Sequence, residues 1–400
     1  MSERRCKDWL TTYVKFAAHT EAPKIMHFWA GVWAIAGVLR RRVWMDQVAF
    51  KWYPNFFIVF VAPPGVVSKS TTAGMAESFL REIPGIKFGP DIVTWPSLVT
   101  SFAASCESFQ YGEDYIPMSP VNLIASELGN LIDPRNKEMV NLFIDLWDGR
   151  KQLSKETKMS GNDIVEGPWI NMLGCTTPHW IADNMPAATV GGGFTSRCIF
   201  VYADTKERFI AFPKYNFPTD TSQTRADLIH DLEYIATNLV GEYEPDAEGR
   251  EWVEAWYKQL WTTRPAHLDD DRLEGYIARR QTHLMKVSMI IAASQRDELV
   301  LTRDDFMLAD QMLQSIEGEI DKVFSRIGRT EESLQAERFI QFVQKKGKDG
   351  VRYQDAYKAI HAYFPDFRDF EGIIAGAVRS GYVVMTQKGD DFWIVATAVR

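Results

Sequence analysis

Ten consecutive residues, Pro63-Pro64-Gly65-Val66-Val67-Ser68-Lys69-Ser70-Thr71-Thr72, set one lysine and four hydroxyls directly behind a proline/glycine turn. They follow the apolar run Phe56-Phe57-Ile58-Val59-Phe60-Val61 and precede the helix-forming Ala73 to Leu80. This is the composition of a phosphate-binding loop. A buried strand aims the loop, a small-residue turn points N–H groups at oxyanions, a lysine reaches the outer phosphates, and a hydroxyl meets Mg²⁺. Gly65, Ser68, Lys69, Ser70 and Thr71 are the candidate nucleotide-binding residues, with Ser70 also a metal ligand. The spacing departs from G-x-x-x-x-G-K-[ST], because Pro63 fills the first glycine slot and Ser68 the second. A turn leading into a helix capped by Ser70 or Thr71 uses the same residues.

Hydrolysis at such a loop needs an acidic group to orient the attacking water. Val121 to Ala125 is an apolar strand ending in Ser126-Glu127, so Glu127 is the candidate base. Ser126 stands where an aspartate would hold the metal through its waters, and offers a hydroxyl without charge. A second apolar run, Trp169 to Gly174, ends in Cys175-Thr176-Thr177-Pro178. Thr176 or Thr177 is placed to sense a γ-phosphate, although Thr177 equally suits the cap of a helix starting at Pro178. Gly191-Gly192-Gly193 precedes Arg197, the position of an arginine that neutralises charge on a transferred phosphoryl across a subunit boundary, or of a solvent-exposed strand-start arginine. Arg279-Arg280 opens a further helix, and Arg279 is a candidate second nucleotide sensor or a solvated helix-face residue.

These groups need a scaffold, and the pattern between Phe50 and Tyr202 supplies one. Strand-like and helical apolar runs alternate there, which predicts an α/β fold with a mainly parallel sheet and ligands beyond the carboxyl ends of its strands. Helical spacing predicts two helices between Asp8 and Val43, broken at Glu21-Ala22-Pro23, with Arg40-Arg41-Arg42 as a solvated cationic end. Beyond a polar connection at Pro213 to Thr224 the chain is helix-rich to Arg326 and predicts a helical lid. Three helices and two strands after Gly328-Arg329-Thr330 predict a winged helix. The expected segments are 1–45 (N-terminal helices), 46–212 (core), 213–328 (lid) and 329–400 (winged helix).

Composition sets outer bounds. The 400 residues carry 46% hydrophobic and 13% aromatic side chains, enough for sizeable cores. No stretch has the run of roughly 18 uncharged apolar residues that a membrane span requires, and a cytoplasmic location is expected. The four cysteines form no C-x-x-C pair, which argues against zinc and against a disulfide framework. With a net charge of −8, any nucleic-acid surface must be a local basic stripe or a channel in an acidic body.

In combination these pieces resemble the RecA/AAA+-like ATPases of phages, satellites and mobile elements, helicase-like or primase-helicase-associated proteins. The resemblance runs over most of residues 15 to 330. It lies in Glu21-Ala22-Pro23 with His27 and Trp29, Pro54-Asn55, the Ser-Lys-Ser-Thr form of the loop, Ser126-Glu127-Leu128, Gly174 to Pro178, and Gly193 to Arg197. It implies ATP and Mg²⁺ as cofactors, Lys69 and Ser70 on nucleotide and metal, Glu127 as hydrolytic carboxylate, Thr176 or Thr177 as sensor, and Arg197 as finger. It also implies a homo-oligomeric ring, expected to be a hexamer, that unwinds or translocates single-stranded or forked DNA, with a primase or loader as a further partner. Lys151, Lys155 and Lys158 fall where ring helicases project a pore loop, and are the candidate nucleic-acid contacts or part of a charged surface loop. An ATP-switched replication initiator and an ATP-binding scaffold are the alternatives.

Overall fold

Phe57–Val61 consists only of aromatic and β-branched residues, and every one of them is buried. Such a run fits a parallel strand covered on both faces. The computed structural model describes residues 3–157, 161–185, 192–270, 273–324, 331–361, 366–389 and 391–397. Two compact units divide the chain, Met1–Ser325 and Arg326–Arg400.

The first unit begins with α1 (Trp9–Ala17), α2 (Lys24–Leu39), β1 (Val43–Asp46), β2 (Lys51–Trp52), β3 (Phe57–Val61), α3 (Lys69–Leu80) and α4 (Trp95–Ala104). Next come β4 (Glu107–Tyr111), β5 (Asp114–Ala125), α5 (Lys137–Trp147), β6 (Gln152–Thr157), β7 (Gly161–Glu166), β8 (Pro168–Thr176), α6 (Pro178–Asn184) and β9 (Cys198–Tyr202). It closes with α7 (Thr221–Asn238), β10 (Gly241–Glu242), β11 (Glu244–Pro245), α8 (Ala247–Thr262), α9 (Glu274–Gln295), β12 (Val300–Leu301), α10 (Arg303–Glu317) and α11 (Ile320–Phe324).

The central sheet has the order β4-β5-β8-β3-β9. β5, β8, β3 and β9 run parallel, and β4 is antiparallel at one edge. The fold is therefore mixed α/β with a largely parallel sheet. β8 sits in the middle with all nine residues buried. The β4–β5 and β6–β7 hairpins extend the strands beyond the apolar runs legible in the sequence.

α2 is buried along almost its whole length, including Trp29 and Trp33, and each such side chain contributes about 1.5–3 kcal/mol by leaving water. Its close seat on α3 and β5 requires Gly37, where a Cβ would meet Leu80 Cδ2 at 2.6 Å and Asn122 Oδ1 at 2.8 Å. One continuous core joins α1, α2, the sheet, α7, α9 and α10. The segments expected as N-terminal helices, core and lid thus share a single interior.

The arginine run is not a solvated helix end. Arg40 and Arg41 are buried, Arg40 pairing with Glu107 at 2.7 Å. Arg41 donates to the carbonyls of Arg150 (3.1 Å), Pro168 (2.9 Å) and Gly149 (3.2 Å), and stacks 4.1 Å from the centre of the Tyr53 ring. Arg42 donates to the carbonyls of Ala236 and Thr237. Orphan carbonyls from distant elements converge here, and guanidinium groups satisfy several at once.

The second unit contains α12 (Glu331–Lys345), β13 (Val351–Arg352), α13 (Tyr353–Ile360), α14 (Phe367–Arg379), β14 (Val383–Lys388) and β15 (Asp391–Ala396). Its antiparallel sheet has the order β13-β15-β14, and its core gathers Phe339, Val343, Phe370, Ile374, Val383 and Ile394. Among the described residues no helix is long and apolar enough to cross a membrane.

Candidate functional site

Four parallel strands deliver the loops that follow them to one edge of the sheet. β8 separates β3 from β5, so Thr176 at the end of β8 lies between the basic loop after β3 and Ser126-Glu127 after β5. Ala62 N–H donates to the Thr176 carbonyl at 3.3 Å, which ties the loop's first residue to that strand.

The loop is open where an anion would enter. Gly65 has φ +70° and Ser68 has φ 44° with ψ 40°. Ser68 thus holds the left-handed conformation that glycine adopts without strain, in the slot where a phosphate loop carries its second glycine. Ser68 makes no side-chain cap on α3, and no backbone N–H from Gly65 to Thr71 has an acceptor among the described residues. A helix start left in this state presents its amides and positive dipole end to solvent. Ser70 and Thr71 are exposed, whereas Thr72 is buried and donates to the Ser68 carbonyl at 3.3 Å.

Lys69 Nζ folds back across the loop and donates to the carbonyls of Ala62 (2.8 Å) and Pro63 (3.4 Å). Burial lowers its pKa, while Cys175 and Glu127 oppose that shift. The same neighbourhood acts on Cys175, whose thiol burial pushes up to about 12. Lys69, Cys175 and Glu127 are therefore electrostatic neighbours, and the lysine and the carboxylate expected to cooperate are brought together. Glu127 and Ser126 are both exposed.

A cavity of about 340 Å³ lies beside the start of α3, lined in part by Ser70, Glu77, Asp91, Ser126 and Asn130. Asp91 has no recognisable motif around it in the sequence. The strap that carries it runs along β5: Asn122 N–H donates to the Lys87 carbonyl (3.0 Å), Gly89 N–H to the Asn122 carbonyl (2.9 Å), and Val93 N–H to the Asn130 carbonyl (2.8 Å). Gly89 permits that approach, since a Cβ there would meet Leu123 Cδ2 at 2.3 Å. A carboxylate thus shares the cavity with Ser126, which lacks one. Among the described residues no group of three or more His, Cys, Asp and Glu is gathered as a metal site.

The two threonines separate cleanly. Thr177 Oγ1 accepts from Trp180 N–H at 3.1 Å and caps α6. Thr176 is buried, and its Oγ1 has no hydrogen-bond partner. A buried orphan hydroxyl costs free energy and signals a missing partner, which leaves Thr176 as the sensor candidate.

Arg197 and Arg279 do not join this constellation within one chain. Phe57 pairs with Cys198, so Arg197 sits at the amino end of β9, a five-residue strand or about 16 Å from the loop. It is buried and grips Asp148 through Nε (3.1 Å) and a terminal nitrogen (2.5 Å), with a further donation to the Gly193 carbonyl. The expected projecting finger is an internal clamp in this structure, because a buried guanidinium has to be paired. Arg279 lies in the same place: burial lowers its pKa, with Arg197 acting in the same direction and Asp148 against it.

Of the expected nucleic-acid lysines, Lys151 is exposed near the amino end of β8, its carbonyl accepting from Gly167 N–H at 2.9 Å. The backbone of Lys155 is in β6 opposite Asp163, and Lys158 lies outside the described residues. The hairpin that carries them joins β8 at the end of the sheet opposite the Lys69 loop. No family model matches the chain, and no curated protein matches it.

Proposed function

We propose that the first unit is a RecA/AAA+-like P-loop ATPase whose ATP site is the edge formed by Lys69, Thr176 and Glu127. The observation that carries this reading is the uncapped run of amides from Gly65 to Thr71, closed on one side by Lys69 and faced by Glu127. Separation of the loop strand from the carboxylate strand by one intervening strand supports it. The open amides bind the phosphates, and Lys69 exchanges two carbonyls for an outer phosphate oxygen. Glu127 orients the attacking water, and Thr176 gains the partner its hydroxyl lacks. Mg²⁺ with ATP supplies charge neutralisation, and Ser70 with Asp91 would hold it, Asp91 giving the charge absent at Ser126.

The work proposed for this ATPase is unwinding or translocation of DNA by a homo-oligomeric ring, with phage or mobile-element replication as its setting. The second unit, with three helices and a small antiparallel sheet, supports a winged-helix reading. α14 carries few cations, which suits protein docking or backbone contact more than groove reading. Calorimetric ATP binding and phosphate release, with and without single-stranded DNA, test the core of the proposal. Lys69→Ala should lose both, and Glu127→Gln should bind ATP yet hydrolyse it at least about 100-fold more slowly. Full turnover by the Lys69 variant would remove the reading.

A further inference from the structure

We infer that the segment from Lys206 to Tyr215 is a docking surface for single-stranded nucleic acid. Ala203 N–H donates to the Val61 carbonyl at 3.0 Å, so this segment leaves β9 beside the end of β3, on the phosphate-loop edge. Its neck is clamped to the corner between α1 and α2. Glu21 takes Lys206 Nζ at 2.7 Å and Ile210 N–H at 3.0 Å on its carboxylate, and Glu207 N–H at 3.1 Å on its carbonyl. Lys24 N–H donates to Glu207 in return at 2.7 Å. The anchored corner is the Glu21-Ala22-Pro23 break itself.

At and beyond this neck three aromatic rings stand in water. Phe209 is 91% exposed, Phe212 68% and Tyr215 74%. Packing does not account for that exposure, since the segment is held by polar contacts at Glu21. Arg208 and Lys214 are exposed, Arg208 as an electrostatic neighbour of Glu207, and Lys214 Nζ lies 4.7 Å from the centre of the Tyr215 ring. The carboxylates nearby are engaged, Glu207 by Lys24 at 3.3 Å and Asp204 by Lys322 at 3.7 Å. Arg208 also joins Lys15 and His19 at an apolar groove of about 790 Å³ between α1, α2, α9 and α10. In a chain of net charge −8, this face carries exposed cations between exposed rings. Single-stranded nucleic acid matches both, with unstacked bases for the rings and phosphates for the cations. A duplex hides its base faces, and a second copy of this acidic chain offers no equivalent match.

The inference takes its partner class from the function proposed above, and nucleotide-free protein separates the two. Anisotropy of a labelled oligothymidylate is measured for the full chain and for the Lys69→Ala protein, without ATP. Both should bind equally. Combined Phe209→Ala, Phe212→Ala and Tyr215→Ala should weaken binding by at least about 10-fold. Arg208→Glu with Lys214→Glu should weaken it and flatten the dependence of log K on log salt by about 1.4, two cations' worth. All five side chains are exposed, so circular dichroism should be unchanged. Absence of binding by the full chain overturns the inference, as does full-strength binding by both variants. A lower sedimentation mass of the aromatic variant, with its DNA affinity intact, would also overturn it by assigning the face to a second copy. ATPase failure in the wild-type protein with this pattern intact would sink the motor reading alone.

Discussion

The two ends of the parallel sheet use the same kinds of side chain to opposite ends. At the amino end the buried cations Lys286 and Arg197 are consumed. Lys286 is wholly buried, donates to Asn55 Oδ1 (2.8 Å), the Trp147 carbonyl (3.1 Å) and the Asn55 carbonyl (3.3 Å), and lies 3.5 Å from the centre of the Trp147 ring. Arg197 holds Asp148, and His283 Nε2 donates to the Ser196 carbonyl at 3.0 Å. At the carboxyl end the lysine rests on two loop carbonyls, the amides point at solvent, and Glu127 is exposed. Buried charge must be satisfied by the protein itself, so a saturated cation holds the fold together. Groups left unsatisfied beside open space are the ones available to a ligand.

Substitutions should break that contrast in graded steps. The α9–α10 packing behind the amino end depends on Arg280, which grips Glu317 through two bonds (2.7 and 3.0 Å) and Asp310 at 2.9 Å. Arg280→Ala leaves Glu317 buried without its cation and should cost about 3–5 kcal/mol in denaturant titration. A loss under about 1 kcal/mol would show that the pair carries little.

Acid should act next. Burial lowers the pKa of His27 to about 4 and of His283 to about 3, so both are neutral in the folded chain near pH 6 while the unfolded chain protonates them near 6.5. The unfolded state then binds more protons, and stability should be full above that pH. It should fall as the pH drops below about 6.5 and level off only below the folded values, each histidine contributing about 1.4 kcal/mol per pH unit across its window. His27→Gln with His283→Gln should flatten the profile of denaturation midpoint against pH; a midpoint that the wild type keeps constant from neutral to pH 4 would contradict the assignment.

Arg197→Lys keeps the charge and loses the two-pronged grip, and should destabilise by about 1–2 kcal/mol with ATP affinity unchanged. Unchanged stability with collapsed hydrolysis in the assembled protein would return Arg197 to the reacting phosphate of a neighbour. The smallest effects belong to the open end. Ser68→Gly should stabilise by about 1 kcal/mol by relieving the left-handed serine. Lys69→Ala should change stability by no more than about 0.5 kcal/mol. A large stability loss at Lys69 would make it part of the scaffold and erase the contrast.

Much of this arrangement is legible in one dimension. The strand–loop–helix order around Lys69, the strand leading to Glu127 and the three helices and last two strands of the second unit follow from local patterns, whereas β13 does not. Continuous apolar runs mark strands covered on both faces, and helical spacing marks α1, α2 and α9. Asp91 is not legible, because its place depends on a strap pinned by β5 rather than on any neighbour in sequence. The Arg40 to Arg42 run is misread as a solvated cap for a similar reason: Arg41 finds its acceptors at residues 149, 150 and 168.

From the sequence alone come the main helices, the central parallel strands, their order and the loop's chemistry, because propensity, periodicity and turn residues act over a few positions. Tertiary structure alone decides which cations are spent and which remain free. A guanidinium or ammonium group is satisfied by whichever carbonyls and carboxylates folding brings within about 3 Å, and those partners are distant in sequence, Asp148 for Arg197, Pro168 for Arg41 and Trp147 for Lys286.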